Sequence, residues 1–287
     1  MKTLDSHLHL WDPGLLRYDW LRDLPALNRA FLPQELARHA GAPDAAIVVQ
    51  ADCAAEQAIK EVNWLNQLAD DSPIAIAGIV AWAPLECGNA VIPYLRQLRQ
   101  LPRVVGIRRS LQNEAREWFY SADYRAGLLA AVEEGFAIDM CVRAAQLPAL
   151  YDLMTWLYER APEACVVLDH IGKPAIVRHE WQEWVEGIEQ LATFPNLVCK
   201  LSGLPTEADW ENGQPEHLKP WIQQAITTFG AQRCLFGGDW PVVELAGGYT
   251  RWKNCVTEAI TSLSPEEINA IMADNARNIY LKKARKG

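Results

Sequence analysis

A (β/α)8 TIM-type barrel is the fold this 287-residue sequence predicts, on three observations. Eight short apolar runs read as strands, a helical stretch follows nearly every one, and no linker, low-complexity block or shift in composition divides the chain. Alternation of this kind builds a parallel sheet whose crossover helices cover it. Residues 1–287 are therefore expected to form one domain, a length that suits a single α/β barrel.

The first run, residues 4–11, alternates, so in a strand Asp5, His7, His9 and Trp11 share one face and Leu4, Leu8 and Leu10 the other. The two histidines then point the same way, toward the pocket at the strand's C-terminal end. Residues 12–31 show little helical period and are rich in Trp, Tyr, Arg and Pro. A loop this long after a strand reads as a flap over the barrel mouth. A short helix over 33–39 leads to the second strand, 45–50. Residues 56–70 place Ile59, Val62, Leu65 and Leu68 at helical spacing, and 74–82 is the third strand. A helix over 91–101, ended by Pro102, precedes the fourth strand, 104–109. Two terminal arginines are foreign to a buried strand, and alternation puts Arg108 on the face of Gly106, pointing inward.

A helix over 119–134 leads to the fifth strand, 136–143, with Asp139, Cys141 and Arg143 on a common face. A helix over 147–159 is followed by the sixth strand, 165–170, which leaves His170 at its C-terminal end. After a helix over 181–191, the seventh strand, 197–203, carries Lys200 and Ser202 on one face. A helix over 217–229 leads to the eighth, 234–239, closed by Trp240-Pro241. Ser264-Pro265-Glu266-Glu267 reads as a capping box with proline at the first helical position. A last helix is expected over 274–285, where Lys282, Lys283, Arg285 and Lys286 suit a helix C-terminus as a solvated basic end.

A net charge of -9 argues against a nucleic-acid surface, and no segment reaches the roughly 18–20 apolar residues of a membrane span. Small molecules are the expected partners; no feature sets the oligomeric state. Seven cysteines without a Cys-x-x-Cys pair read as reduced thiols, and Met1-Lys2-Thr3-Leu4 leaves no apolar stretch for a signal peptide, so a cytoplasmic location is expected.

In a barrel, reacting groups come from the C-terminal ends of several strands. The ring of strands brings His7, His9, Arg108, Arg143, His170, Lys200 and Asp239 to one mouth. They supply a carboxylate base, imidazoles and fixed cations around one cavity, which is a hydrolytic set. Tryptophans beside polar or Gly/Pro residues, among them Trp11, Trp82, Trp118 and Trp240, are candidates for the pocket wall.

These residues resemble a known family. His7-x-His9, His170 within Leu168-Asp-His-Ile-Gly-Lys-Pro174, and Asp239 within Phe236-Gly-Gly-Asp-Trp-Pro241 are similar to the amidohydrolase superfamily, in its amidohydrolase-2 branch that contains sugar lactonases. The likeness extends to Val105-Gly-Ile-Arg108, Cys199-Lys-Leu-Ser-Gly-Leu204 and Asp274-Asn-Ala-Arg277, so it spans essentially the whole chain. It implies a distorted barrel and hydrolysis of an aldonolactone, such as a 6-deoxy-L-sugar lactone of the L-fucono or L-rhamnono type. Pyrone-dicarboxylate lactonases are similar in strand pattern. A zinc-dependent decarboxylase or deaminase of the same superfamily, and a barrel that binds a sugar acid without turnover, are the alternatives.

One departure bears on metal use. Binuclear members carry a bridging lysine or glutamate on the fourth strand and a histidine on the fifth, where this chain has Arg108-Arg109 and Val142-Arg143. A permanent cation there would repel a second divalent ion. His7, His9, His170 and Asp239 suit one zinc or other divalent cation, but the lactonase branch, as the resemblance implies, works without one, and no required cofactor is the expectation. In the mechanism that follows from these parts, Asp239 takes a proton from water, and Arg108 with His7, His9 or His170 stabilises the oxyanion. Lys200, Arg143, Trp11, Trp82 and Trp240 are candidates for holding the sugar. Ring size and stereochemistry depend on loop residues such as Arg17, Tyr18, Trp20 and Trp118.

Overall fold

A computed structural model describes residues 2–209 and 215–282. Eight parallel strands pair in sequence order: β1 (Leu4–Leu8), β2 (Ala45–Val49), β3 (Ala75–Ala81), β4 (Val104–Ile107), β5 (Ala137–Met140), β6 (Val166–Leu168), β7 (Leu197–Leu201) and β8 (Cys234–Phe236). Each expected strand is present but shorter; beyond the ladder ends of β1, β4, β6 and β8, His9, Arg108, His170 and Asp239 line the mouth. The main crossover helices are α1 (Pro33–Leu36), α2 (Ala58–Asp70), α3 (Ile92–Gln100), α4 (Ala122–Glu133), α5 (Leu147–Arg160) and α6 (Trp181–Ala192). They are followed by α7 (Leu204–Glu207), α8 (Pro215–Phe229) and α9 (Tyr249–Ala259).

Helix α9 was not among the expected elements. It follows Gly247 and Gly248, both at positive φ, and buries Tyr249, Trp252, Cys255, Val256 and Ala259, which recur at helical spacing. The capping box forms as expected: Ser264 Oγ accepts from Glu267 N at 3.2 Å, and Glu267 Oε2 accepts from Ser264 N at 2.9 Å. It opens α10 (Pro265–Asn269), which continues through wide turns at Ala270–Asp274 and Arg277–Leu281, so this helix begins well before residue 274. Lys283, Arg285 and Lys286 of the expected basic end lie outside the described residues.

Two apolar layers hold the barrel. The inner one draws Leu4, Ile47, Val80, Ala137, Val167, Val198 and Leu235 from successive strands against Ala273, Ala276 and Tyr280, so the final helix plugs the bottom of the ring. The outer one packs the helices on the sheet. No helix among the described residues is long and apolar enough to cross a membrane.

The ring has a seam. β1 and β8 meet through a single bridge, Leu8 with Trp240, and the register of β1 against β2 shifts between Asp5 and Leu8. That irregularity corrects the simple alternation: Leu4 belongs to the inner layer while Leu8 and Leu10 pack outward. Asp5, expected to share a face with His7 and His9, instead turns to stitch the seam. Its carboxylate accepts from His7 N and Gly238 N, each at 2.9 Å, and from Tyr249 Oη at 3.0 Å. Ser6 Oγ donates to Phe236 O, Asp239 N to His7 O and His9 N to Trp240 O, each at 2.7 Å. A Cβ at position 238 would lie 2.5 Å from Asp5 Oδ2, so only glycine admits this closure.

Candidate active site

The strand ends converge on a cavity of about 250 Å3. His9 after β1, Arg108 after β4, His170 after β6 and Asp239 after β8 line it. His7 lies just beneath, fully buried, its ring centroid 4.9 Å from that of His9 and 4.5 Å from that of His170. Asp239 Oδ1 is 3.5 Å from His9 Nε2 and 3.7 Å from His7 Nε2, and the two Nε2 atoms are 3.2 Å apart. Arg108 reaches in from the far side, donating to Gln50 O at 2.7 Å, with Nη1 3.4 Å from Asp169 Oδ2 and 3.5 Å from His7 Nε2.

Local backbone conformation aims these groups. Asp52, His170, Lys173 and Asp239 all line the cavity and all have positive φ, between 46° and 54°. Such residues persist only where their surroundings hold them, and they gather at functional sites. His170 Nδ1 pairs with Ser202 Oγ at 2.9 Å.

A layer of charge underlies the cavity. Lys200, fully buried, contacts Asp139 Oδ2, Asp169 Oδ1 at 3.0 Å and His7 Nδ1 at 3.1 Å; Tyr280 Oη donates to Asp139 Oδ1 at 2.7 Å. Burial works to raise Asp169, but Lys200 and then His7 hold its carboxylate well below the usual range. Burial pushes Asp139 up to about 6 against the pull of Lys200. His7 and His170 are held well below the ordinary histidine value, chiefly by burial, although Asp169 and Asp239 respectively pull the other way. Asp239 lies below its ordinary value: burial opposes this, but His170, His9 and Lys173 favour the carboxylate. The site thus presents an ionised Asp239 beside the neutral imidazoles of His7 and His170 at neutral pH.

Of the five residues expected to do chemistry, four line the cavity and His7 supports them from below. The expected sugar contacts divide. Trp11 lines the cavity, its indole donating to Leu27 O at 3.1 Å. Lys200 does not reach the cavity: it lies mid-strand in β7 with no exposure, and its ammonium is spent on two carboxylates and His7. Trp240 is fully buried against Phe31, and Trp82 stands edge-on to Tyr94 outside the lining. Arg143 is exposed at the rim, where it donates to Gln112 O and Asn113 Oδ1, each at 3.1 Å. It braces a loop whose Gln112 and Asn113 themselves line the cavity.

Residues 12–31 do reach the mouth, and Trp20 lines it, its indole donating to Ala51 O at 2.9 Å. Arg17, Tyr18 and Trp118 are not in the lining. Asp52, Ser110, Gln112, Asn113 and Lys173 were not singled out in the sequence. Lys173, paired with Glu207 at 3.1 Å, had a legible signal in its Gly-Lys-Pro context; the others stand on loops without a pattern.

The donor set fits one divalent ion. In a tetrahedral zinc site with bonds of about 2.0–2.1 Å, neighbouring ligand atoms are roughly 3.3 Å apart, and the His7, His9 and Asp239 separations of 3.2–3.7 Å match. His170 completes the set, since ligand atoms of His7, His170 and Asp239 all lie within 4.8 Å of one another. A second grouping, His7 with Asp139 and Asp169, already surrounds a cation in the Lys200 ammonium.

The family described as amidohydrolase matches residues 4–281 of the chain. An L-fucono-1,5-lactonase from Burkholderia multivorans (strain ATCC 17616 / 249) is 32% identical, the match covering 96% of this chain and 95% of that protein. A solved amidohydrolase from Burkholderia multivorans, crystallised with HEPES in one form, superposes with a TM-score of 0.85 at 32% identity, over 98% of this chain and 99% of that one. Its second crystal form holds zinc and gives a TM-score of 0.84 with the same identity and coverage.

Proposed function

The chain belongs to the amidohydrolase family, and from that premise we propose that it is a lactonase that opens the ring ester of a neutral sugar-acid lactone, a 6-deoxy-L-aldonolactone of the L-fucono type. The observation that carries this reading is an ionised Asp239 within 3.5–3.7 Å of the His9 and His7 imidazoles at a cavity wall that also presents Arg108. The lactonase relative supports the reaction class. The pairing of wall cations supports a neutral substrate: Arg108 faces Asp169 and Lys173 faces Glu207, which leaves neither unpaired for a substrate carboxylate.

Asp239 takes a proton from water, and the hydroxide adds to the lactone carbonyl. Arg108, with His170 or His9, donates to the oxyanion. Collapse breaks the bond from the acyl carbon to the ring oxygen, and the protonated Asp239 returns its proton to the departing alkoxide. The net change is one water added across the ester, releasing an aldonic acid. Trp20 offers apolar surface to the sugar ring, and Gln112, Asn113 and Lys173 offer hydrogen bonds to its hydroxyls. Held by His7, His9, His170 and Asp239, a divalent ion would add Lewis acidity toward an oxygen at the cavity floor. We place catalysis without it first, because Arg108 and Lys200 flank His7 on both sides.

The test is acid release, followed with a pH indicator, from chelator-treated protein given L-fucono-1,5-lactone and a panel of other aldonolactones. Turnover should persist without metal, and Asp239→Asn should lower it about 10²- to 10⁴-fold with an unchanged unfolding transition. Near-normal turnover in that variant would remove Asp239 from its role, and silence on every lactone would remove the reaction class.

A further inference from the structure

Asp52 lies three residues past the end of β2 and lines the cavity. Buried Gln50 clamps it: Nε2 donates to Asp52 Oδ1 at 3.1 Å, and Oε1 accepts from Asp52 N at 2.6 Å. Gln50 is fixed in turn, its N donating to Val80 O at 2.8 Å and its O accepting from Arg108 at 2.7 Å. The clamp sustains a φ of 52° at Asp52, a left-handed conformation that aspartate adopts more readily than most residues. It leaves Oδ2 without a hydrogen bond or ion pair among the described residues. The carboxylate is oriented but not consumed.

The other charged groups of the lining are taken. Arg108 faces Asp169 at 3.4 Å, Lys173 faces Glu207 at 3.1 Å, and Asp239 lies against the His9 and His7 imidazoles. Burial opposes the charge of Arg108, and Asp169 and then Asp52 support it; the ion pair it forms is with Asp169. A carboxylate oxygen only accepts, so Asp52 Oδ2 calls for a donor from the ligand. A sugar hydroxyl supplies one, in a charge-assisted bond. A substrate carboxylate supplies none and adds like charge, and in a cavity of about 250 Å3 it stays within range of Asp52. One group thus attracts one class of ligand and repels another.

We propose that Asp52 is a specificity-determining residue, which accepts a hydrogen bond from a sugar hydroxyl through Oδ2 and turns away lactones that carry a free carboxylate. The proposal rests on the lactonase reading and adds to it the residue that discriminates among lactones. The paired wall cations leave an acidic substrate without a partner; Asp52 makes its entry unfavourable.

The test compares L-fuconolactone with the galactarolactone of the same ring size and configuration, which has a carboxylate in place of the methyl group at C6. In the unaltered full-length protein kcat/KM should favour the neutral lactone by about 10- to 100-fold, the scale of one hydrogen bond to a charged group. Asp52→Asn keeps an acceptor for Gln50 and tolerates the left-handed backbone, but removes the charge. The preference should shrink about tenfold or more, with KM for the neutral lactone raised and kcat/KM for the acidic one raised above the parent's. General damage to the fold cannot produce that gain. A folded variant that keeps the parent's preference, or that slows equally on both lactones, overturns the proposal. So does an unaltered protein that opens both lactones equally well, whatever the variant does. Silence of the unaltered protein on every lactone removes the lactonase reading and this proposal with it, whereas turnover without regard to substrate charge removes the proposal alone.

Discussion

Gly203 follows β7 with a φ of +67°, and a Cβ built there would lie 2.4 Å from His170 Nδ1 and 2.6 Å from its Cγ. An alanine must push the imidazole away from Ser202 and from the cavity. Turnover of Gly203→Ala should fall about 100-fold, as expected for a displacement of about 1 Å at a reacting group. Stability should fall by about 1–3 kcal/mol. Steady-state kinetics beside urea unfolding would check this, and a variant that loses stability but keeps its rate would show that His170 is not positioned by this contact. At the scale of single residues the sequence was informative where a polar side chain ends an apolar strand, as for His170 and Asp239. It misled at Lys200, because alternation assigns a face and not a depth: a lysine one residue deeper than the mouth is buried charge. It was silent at Gln112 and Asn113, whose loop is set by Arg143 and Gln146 from another strand's end.

Elements fix one another through buried polar ties. Glu61, on the inner face of α2, accepts from Ala51 N at 3.0 Å. Ala51 O takes the Trp20 indole and Gln50 O takes Arg108, so one carboxyl anchors the loop that holds both the flap and the Arg108 guanidinium. Burial raises Glu61 from 4.5 to about 8. Its folded value is the higher one, so the native state keeps a proton the unfolded chain loses. Stability from this group therefore declines as pH rises from about 4.5 to about 8 and levels off above. Glu61→Gln keeps the accepting oxygen without the ionisation. The variant should match the parent near pH 5 and exceed it near pH 9 by a few kcal/mol at most, since each unit is worth about 1.4 kcal/mol. Thermal unfolding at the two pH values measures this, and a gain that is the same at both would contradict it. All eight strands and most helices were legible because apolar periodicity is a local signal. Helix α9 was legible in principle through Tyr249, Trp252, Val256 and Ala259, but the glycine pair before it and Thr, Arg, Lys and Asn within it masked the stripe. The shift in β1 was not legible, since Asp5 leaves the alternation only because Gly238 and Tyr249 await it across the seam.

Viewed as a whole, the molecule is a ring plugged at one end by its last helix and open at the other to a polar cavity. The plug and the site are joined: Tyr280 on the closing helix donates to Asp139, which meets Lys200, which meets His7. This vertical line through the barrel was invisible in sequence because its members are far apart in the chain, and Asp139 and Tyr280 belong to no motif. The ring's horizontal closure has a further consequence. His9 and Asp239, proposed to act on the substrate, are also the residues whose own amides tie the two unladdered strands, at Trp240 O and His7 O. Chemistry and closure share the same backbone, so the slow exchange of two amide hydrogens becomes a gauge of the active site. Seam amides are released by opening a few stitches, whereas Gln50 N, bonded to Val80 O where it extends the five-pair β2–β3 ladder, is released by wider unfolding. In heavy water the amides of His9 and Asp239 should exchange well before that of Gln50, and a bound aldonolactone should slow the first two selectively. Equal protection of all three would mean that the ring opens, when it opens, everywhere at once.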